Sequence, residues 1–496
     1  MTVHTVIVGG GTSGSVLAAR LTENGGQRVT LLEAGPDDAE YDARVLDPSL
    51  AHTVWSGSPW VDRYAMSQVD GPDLAMVAGR ALGGTSAVNY LATVRGQPAD
   101  YDAWADLGLP GWSWRDVAPT FVGLERDLDF AGSPIHGSSG PLVVRRWRRE
   151  HHAAYHAAFI DGLTRLGVAA TPDLNDPATL PGVGVFPATV DATTGERLTV
   201  SRSYLSADVR ARPNLDIRCQ TAVDRVLLDG TRAVGVRTRD GGEVLADRVI
   251  VSSGAFASPC ILQRSGIGPA VDLEAAGVEV VIDAPGVGAN YQDHLGALLA
   301  YQLEEPCPLG GSPAQTVWVD ASDAAGVDVH VFPTPLDTGD PSSSVFAVLA
   351  FLLRVSEPGR VLITSSDPDQ PPAITAPHAT DADVARLAPV LDTLGRWEET
   401  PEFRRLGAQR LVPQGSLRDA DAAARTWAGP RTSYGHQVGT CAMGPASDPM
   451  AVLDERCRVR GADGLLVVDA SAMPRIPAGN TYLGCVMLAE RVVASA

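Results

Sequence analysis

The chain has 496 residues, 45% of them apolar and 20% charged, and its 59 acidic against 39 basic side chains leave a formal charge of −20. A surface this negative repels phosphate backbones and anionic lipid, which argues against a nucleic-acid or charge-driven membrane partner. Length predicts about three domain-sized units, and 51 Gly with 36 Pro argue for many turns rather than bundled helices.

The elements predicted first are a strand from Val3 to Val8, a Gly-rich turn, a helix from Ser15 to Leu21 and a strand from Val29 to Glu33, which together open a βαβ unit. Asp37 to Gly79 reads as irregular. A second Gly-rich stretch runs from Gly79 to Asn89, and a helical stretch follows His151. Thr221 to Val251 reads as a meander with strands Val223–Leu228, Ala233–Thr238 and Arg248–Val251 and turns at Asp229-Gly230 and Gly241-Gly242. Val327 to Phe332 alternates as a half-buried strand does. Gly464 to Asp469 reads as a buried strand and Thr481 to Val493 as a helix. Because helical and strand segments interleave, the domains are not expected to be sequential pieces.

The six cysteines (Cys219, Cys260, Cys307, Cys441, Cys457, Cys485) form no CxxC pair. Neither a disulfide scaffold nor a zinc or iron–sulfur site is expected, and no metal site is assigned. No basic region followed by an apolar stretch opens the chain, and the longest apolar run, Val345 to Leu353, is too short to span a bilayer. The expectation is a soluble cytoplasmic protein with no integral membrane segment.

Gly9-x-Gly11-x-x-Gly14 follows a strand and opens a helix, and Glu33 ends the next strand. The first Gly permits the tight turn, the second lets backbone approach a pyrophosphate, and the third lets helix and strand pack closely. Free N–H groups at the helix start would receive the phosphates, and Glu33 would accept from the hydroxyls of an unphosphorylated adenosine ribose. This pattern alone does not separate NAD from FAD. The chain holds no second GxGxxG, which argues against a flavin plus a bound nicotinamide.

Six segments in order carry a wider likeness: the N-terminal cradle, Gly79–Asn89, Gly254–Gly268, Pro285–His294, His436–Gly444 and Asp469–Asn480. Together they resemble the glucose–methanol–choline (GMC) oxidoreductase family from near residue 3 to near residue 492, with residues 300–430 matching loosely. The resemblance implies an α/β fold of the GMC, p-hydroxybenzoate-hydroxylase-like kind. In it a Rossmann-like FAD-binding domain (1–150, 216–298, 441–496) is interleaved with an α+β substrate domain on an antiparallel sheet (151–215 mainly, 299–440). FAD contacts would fall at Gly9, Gly11, Thr12, Ser13, Gly14, Glu33, Ala34, Arg80, Gly83, Gly84, Asn89, Val223, Gly254, Asp469, Ala470, Asn480 and Thr481. Members that tether flavin through His carry it just before the Asn of the second Gly-rich stretch; Val88 stands there, so non-covalent FAD is expected. Thr93, where the family often has an aromatic, is a further departure.

Oxidising an alcohol needs a group that takes the hydroxyl proton while hydride leaves carbon for flavin N5, and histidine suits that task. The resemblance assigns it to His436, with Asn480 hydrogen-bonding the substrate oxygen. Since Asn480 cannot take a proton, His436 would act alone. As an isolated residue, His436 would read as a satisfied buried histidine and Asn480 as an N-cap. A helix starting there would also aim its positive end at the flavin N1–C2 region. Thr481 stands where the family often has Pro. Cys441 reads as a small buried hydrophobe, His152 and His156 as a solvated helix face, Arg145–Arg149 as solvated surface or inter-domain pairing, and His294 as structural support for the FAD region.

The implied activity is oxidation of a small-molecule alcohol to a carbonyl, with oxygen, a quinone or a redox carrier as electron acceptor. Leu109–Trp114 and Pro134–Pro141 resemble actinobacterial members associated with the mycofactocin redox system, which would favour a dehydrogenase. A hydroxynitrile-lyase-type enzyme that keeps FAD without redox turnover is the alternative. A light-driven decarboxylase would replace the His that is present at 436.

Overall fold

The computed structural model describes residues 2–55, 58–306, 310–322, 326–336 and 344–494; Cys307 lies outside them. Two sheets organise it. The first is five-stranded and parallel, in the order Leu465–Val467, Arg248–Val251, β1 (Val3–Val8), β2 (Gln27–Leu32), Leu215–Arg218. Its strands are drawn from both ends and the middle of the chain. The inner strands are buried on both faces and read as unbroken runs of Val, Ile and Leu, as a sheet sandwiched between layers requires. Helix α1 (Thr12–Leu21) crosses from β1 to β2, and the C-terminal helix Thr481–Ala494 packs along it.

Gly14 is where α1 meets β1. A Cβ at that position would stand 1.9 Å from the Gly9 carbonyl oxygen, so any side chain would push helix and strand apart. Gly9, at φ +98°, turns the chain out of the strand. The second Gly-rich stretch lies against this corner: the Gly83 N–H donates to the Gly10 carbonyl at 2.8 Å, and a Cβ on Gly84 would stand 2.6 Å from the Gly11 Cα.

The second sheet is antiparallel and seven-stranded, built on Leu295–Gln302, Val345–Leu352, Val329–Pro335 and Thr316–Asp320, with shorter strands at its edges. One face is covered by the helices Ala154–Arg165 and Ala388–Glu398 through Tyr155, Phe159, Leu391 and Trp397. By register, the opposite face carries Leu298, His330, Phe332, Thr334, Leu349 and Phe351. Gly296 leaves room on that face for the Phe351 ring, which a Cβ would meet at 2.5 Å.

Several expectations are corrected. Asp37–Gly79 contains a two-stranded hairpin, Val61–Met66 with Leu74–Gly79. The third strand of the meander is Glu243–Leu245, while Arg248–Val251 leaves it for the parallel sheet. The strand at His330 is buried on both faces rather than half-buried, because aromatic side chains cover the face that alternation assigned to solvent. His156 is not on a solvated face: it is fully buried, with Nδ1 on the Thr316 hydroxyl and Nε2 on the Pro313 carbonyl.

Gly14→Ala should lower unfolding free energy by about 1–3 kcal/mol through overpacking. Gly26→Ala, with nothing within 4 Å of its added Cβ, should change it by no more than about 0.5 kcal/mol. Denaturant titration of the two variants checks the contrast.

Candidate active site

The N-terminal cradle brings together Glu33, the glycine turn and the start of α1. Glu33 is buried just past β2, and its two oxygens accept from the Gly10 and Gly35 N–H groups, each at 2.8 Å. Burial pushes its carboxyl up to about 7, against the pull of those two donors. A carboxylate offers about four acceptor sites, so ribose hydroxyls still find lone pairs. Gly9, Gly11, Thr12, Ala34, Gly254 and Ala470 stay partly accessible within otherwise buried stretches, while Ser13, Val223 and Thr481 are buried. The first turn of α1 carries no acidic residue that would oppose a phosphate. The residues present therefore fit a dinucleotide.

Other expected contacts are engaged within the protein. Asp469 accepts from the Gly254 N–H (2.8 Å), the Ser258 hydroxyl (2.6 Å) and the Ser471 N–H (2.8 Å), and so joins the Leu465–Val467 strand to the helix that starts at Gly254. Asn89 accepts from Leu91 N–H and from Arg197. Arg80 is exposed and stands 3.8 Å from Asp62.

Three distant segments meet around His436. Its Nδ1 lies 2.9 Å from Nδ1 of His294, and its Nε2 lies 3.2 Å from Nδ2 of Asn480. The Asn480 amide is oriented by backbone: the Val94 N–H can only donate, and it donates to Oδ1 at 3.0 Å, which turns Nδ2 toward His436. Nε2 of His436 therefore accepts, its proton sits on Nδ1, and that proton is donated to His294. Burial holds the imidazole of His436 down at about 3, with His330 adding to the effect, and holds His294 well below its ordinary value. The Asn480 side chain is thus used on Val94 and His436 rather than as a cap.

Asp293 fixes both histidine backbones. One oxygen accepts from the His294 N–H (2.8 Å) and the His436 N–H (3.0 Å); the other accepts from the Tyr291 hydroxyl (3.2 Å) and the Ser433 hydroxyl. Tyr434 lies flat on His436, with centroids 4.1 Å apart, and Phe351 lies flat on Tyr434 at 4.2 Å. This stack joins His436 to the face of the antiparallel sheet opposite the helices.

His436 and Asn480, paired in the sequence only by the family resemblance, do meet. Sequence reasoning missed His294 as the partner of His436, and it missed Tyr434, which sits two residues before His436 and carried no motif signal. His294, read as structural support for the FAD region, is held by the Asp293 hub against His436.

Glu125, Asp127 and His136 lie close enough to suggest a metal site, yet they are ion-paired. Arg95 binds Glu125 at 2.5 Å, Arg146 binds Asp127 at 2.5 Å and Asp173 at 3.0 Å, and His136 bridges Glu125 and Asp173 at 2.7 Å each. Those carboxylates push His136 up to about 10, so three cations balance three anions. Arg146 thus turns inward from the Arg145–Arg149 run. Asn175 ties the cluster to the site, donating to the Thr93 carbonyl and accepting from the Arg95 N–H on either side of Val94.

Residues 3–296 and 355–489 match two family profiles, both described as GMC oxidoreductase. The chain is 34% identical to 5-(hydroxymethyl)furfural oxidase of Methylovorus sp. (strain MP688), over 98% of this chain and 97% of that one. It is also 34% identical to oxygen-dependent choline dehydrogenase of Paraburkholderia phymatum, over 98% and 91%. Among solved structures, pyridoxine 4-oxidase from Mesorbium loti superposes with a TM-score of 0.90 at 29% identity, covering 99% of each chain. Formate oxidase, at 23% identity and a TM-score of 0.86, shares the fold. Family profiles over most of the chain, near-full-length relatives and a common fold agree: the chain belongs to the GMC oxidoreductases, flavoenzymes that act on alcohol-type donors.

Proposed function

We propose that the protein oxidises a neutral, ring-bearing primary alcohol to the aldehyde, with His436 as the base, Asn480 as the oxygen-binding partner and non-covalent FAD as the hydride acceptor. The observation that carries the reading is the pair formed by His436 Nε2 and Asn480 Nδ2 at 3.2 Å, an acceptor and a donor side by side. An alcohol oxygen between them would accept from Asn480 Nδ2 while its O–H donates to His436 Nε2. Bound FAD supplies the electron sink for the C–H bond. Cofactor seating is assigned to the Gly9–Gly14 corner, Glu33 and the Gly83–Asn89 segment. Val88, buried beside Asn89, offers no nucleophile for a flavin tether.

His436 is pre-set for this step. It is neutral across the physiological range, its Nδ1–H stays on His294, and the proton it gains goes to Nε2. The resulting imidazolium lies under the Tyr434 ring, a contact worth about 0.5–2 kcal/mol for a desolvated cation. His294 is a positioning residue, since it fixes the tautomer that leaves Nε2 free.

The substrate class follows from the facing wall. Phe332, Phe351, Leu349, Leu298 and Tyr434 are apolar or aromatic, and among the described residues of that sheet face none is charged. The nearby carboxylates are engaged: Asp293 holds four donors, and Asp100 pairs with Arg354 at 2.7 Å. Such a wall suits a planar ring better than a choline-like cation. The names of the oxidase and the oxygen-dependent dehydrogenase among the relatives favour molecular oxygen as the acceptor.

His436→Ala should slow anaerobic flavin reduction by about 10²–10⁴-fold while FAD stays bound; stopped-flow bleaching at 450 nm checks it, and wild-type bleaching would defeat the assignment of the base. Because burial holds His436 near 3, protonation of the base should cost the reduction rate nothing between about pH 7 and 9, above the value of about 6 to which burial pushes Asp293. His294→Phe removes the Nδ1 acceptor and should both lower that rate and bring a pH dependence into the same range. In a substrate panel, 5-(hydroxymethyl)furfural or benzyl alcohol should exceed choline in kcat/KM by at least about tenfold, the worth of ~1.4 kcal/mol; preference for choline would overturn the substrate reading.

A further inference from the structure

Four arginine side chains are buried: Arg95, Arg146, Arg264 and Arg197, of which Arg197 is the most enclosed, at 0% exposure. Three have carboxylate partners. Arg95 has Glu125, Arg146 has Asp127 and Asp173, and Arg264 has Asp224 at 2.8 Å. Arg197 has none among the described residues. Its Nε donates to the Val45 carbonyl at 2.7 Å, and its Nη1 donates to the Ser86 carbonyl at 3.2 Å and the Asn89 Oδ1 at 2.8 Å. All three acceptors are neutral, and Nη2, sealed in the interior, has no partner. Burial lowers its pKa only to about 10, and the neighbouring ionisable groups are the neutral phenols Tyr41 and Tyr482, so the guanidinium is charged at neutral pH. A buried charge with no countercharge is a large cost that proteins rarely leave standing.

Its place in the fold indicates what would answer that charge. Ser86 and Asn89 belong to the Gly-rich stretch that docks on the start of α1. Val200 N–H binds the Ser86 hydroxyl at 3.0 Å, and the Ser201 hydroxyl binds the Leu82 carbonyl at 3.3 Å. A Cβ on Gly83 would meet the Ser201 Oγ at 2.8 Å. Tyr482 opens the C-terminal helix, two residues after Asn480. Arg197 thus stands directly behind the junction of the first glycine turn, the second Gly-rich stretch and the last helix.

We propose that Arg197 is the countercharge to the diphosphate of the bound dinucleotide, acting from behind the Ser86–Asn89 segment. The inference rests on the FAD reading given above. It makes the empty protein carry an uncompensated cation and the loaded protein a balanced one, so Arg197 should matter more to the loaded state than to the empty one. A side chain that only braced Val45 against Ser86 would matter equally to both.

The test compares wild type, Arg197→Met and Arg197→Lys as apoprotein and holoprotein, with FAD and ADP titrated into each apoprotein and thermal midpoints read with and without FAD. Arg197→Met should raise the Kd for FAD and for ADP at least tenfold by a common factor and lower the holoprotein midpoint by more than the apoprotein midpoint, whose own fall reports the three acceptors left without a donor. Arg197→Lys, which keeps the charge without the planar fork, should stay within threefold of wild type for both ligands. Unchanged FAD affinity in Arg197→Met, or equal falls of apo and holo midpoints, overturns the proposal. If the Met variant does not fold, the Lys variant decides, and a tenfold loss there assigns the role to hydrogen-bond geometry and overturns the proposal. A wild-type protein that binds neither FAD nor ADP would instead remove the functional reading underneath.

Discussion

The site depends on one carboxylate. Asp293 is buried and accepts from two backbone amides and two hydroxyls, and those amides belong to His294 and His436, residues 142 positions apart. Burial pushes its carboxyl up to about 6 against those four donors, so it is retained where its hydrogen bonds are complete rather than where ionisation is easy. With both backbones fixed on one oxygen, the two imidazoles have little choice of contact: Nδ1 meets Nδ1, and one proton serves both. Main-chain geometry thus brings the rings together, and the Asn480 amide decides which of them holds the shared proton.

The second constraint is the pairing of Val94 with Asn480. Asn480 N–H donates to the Val94 carbonyl at 2.9 Å, while its side chain takes the Val94 N–H. Two peptide segments nearly 400 residues apart are joined as a short ladder would join them, and the amide ends with its donor toward the base. A close approach sustains this: a Cβ on Gly479 would stand 2.3 Å from the Arg95 carbonyl oxygen. Asn480 and His436 are thus set side by side by contacts that precede any substrate.

Much of this was legible in the chain itself, for a physical reason. Glycine spacing and the acid after β2 are short-range patterns, each tied to a backbone demand that few other residues meet; His436 and Asn480 were reached only through the family resemblance, since taken singly they read as a buried histidine and an N-cap. The interleaving of the two sheets could be inferred because helical and strand periodicities alternated. The partners of those residues were not legible. His294 bonds to His436 only after the chain has closed on itself, and Tyr434 acts through ring stacking, which leaves no spacing rule. His156 looked solvated because a helical i, i+4 pair says nothing about which side the sheet covers. The Arg145–Arg149 run left solvated surface and inter-domain pairing open, because the three anionic neighbours of Arg146 (Asp127, Asp129 and Asp173) are spread over 47 residues.

The six-membered charge cluster has a consequence for how the pairing of Asn480 with His436 behaves in different media. It holds residues 93–95 through Asn175 and Arg95, and through them the Asn480 amide. Exposed ion pairs weaken as electrolyte rises, because mobile ions screen them; these six groups lie too deep for that atmosphere. The alignment of the amide should therefore be indifferent to brine. Its weak point is strong alkali, where the raised imidazolium of His136 gives up its proton near 10 and the cluster is left one cation short.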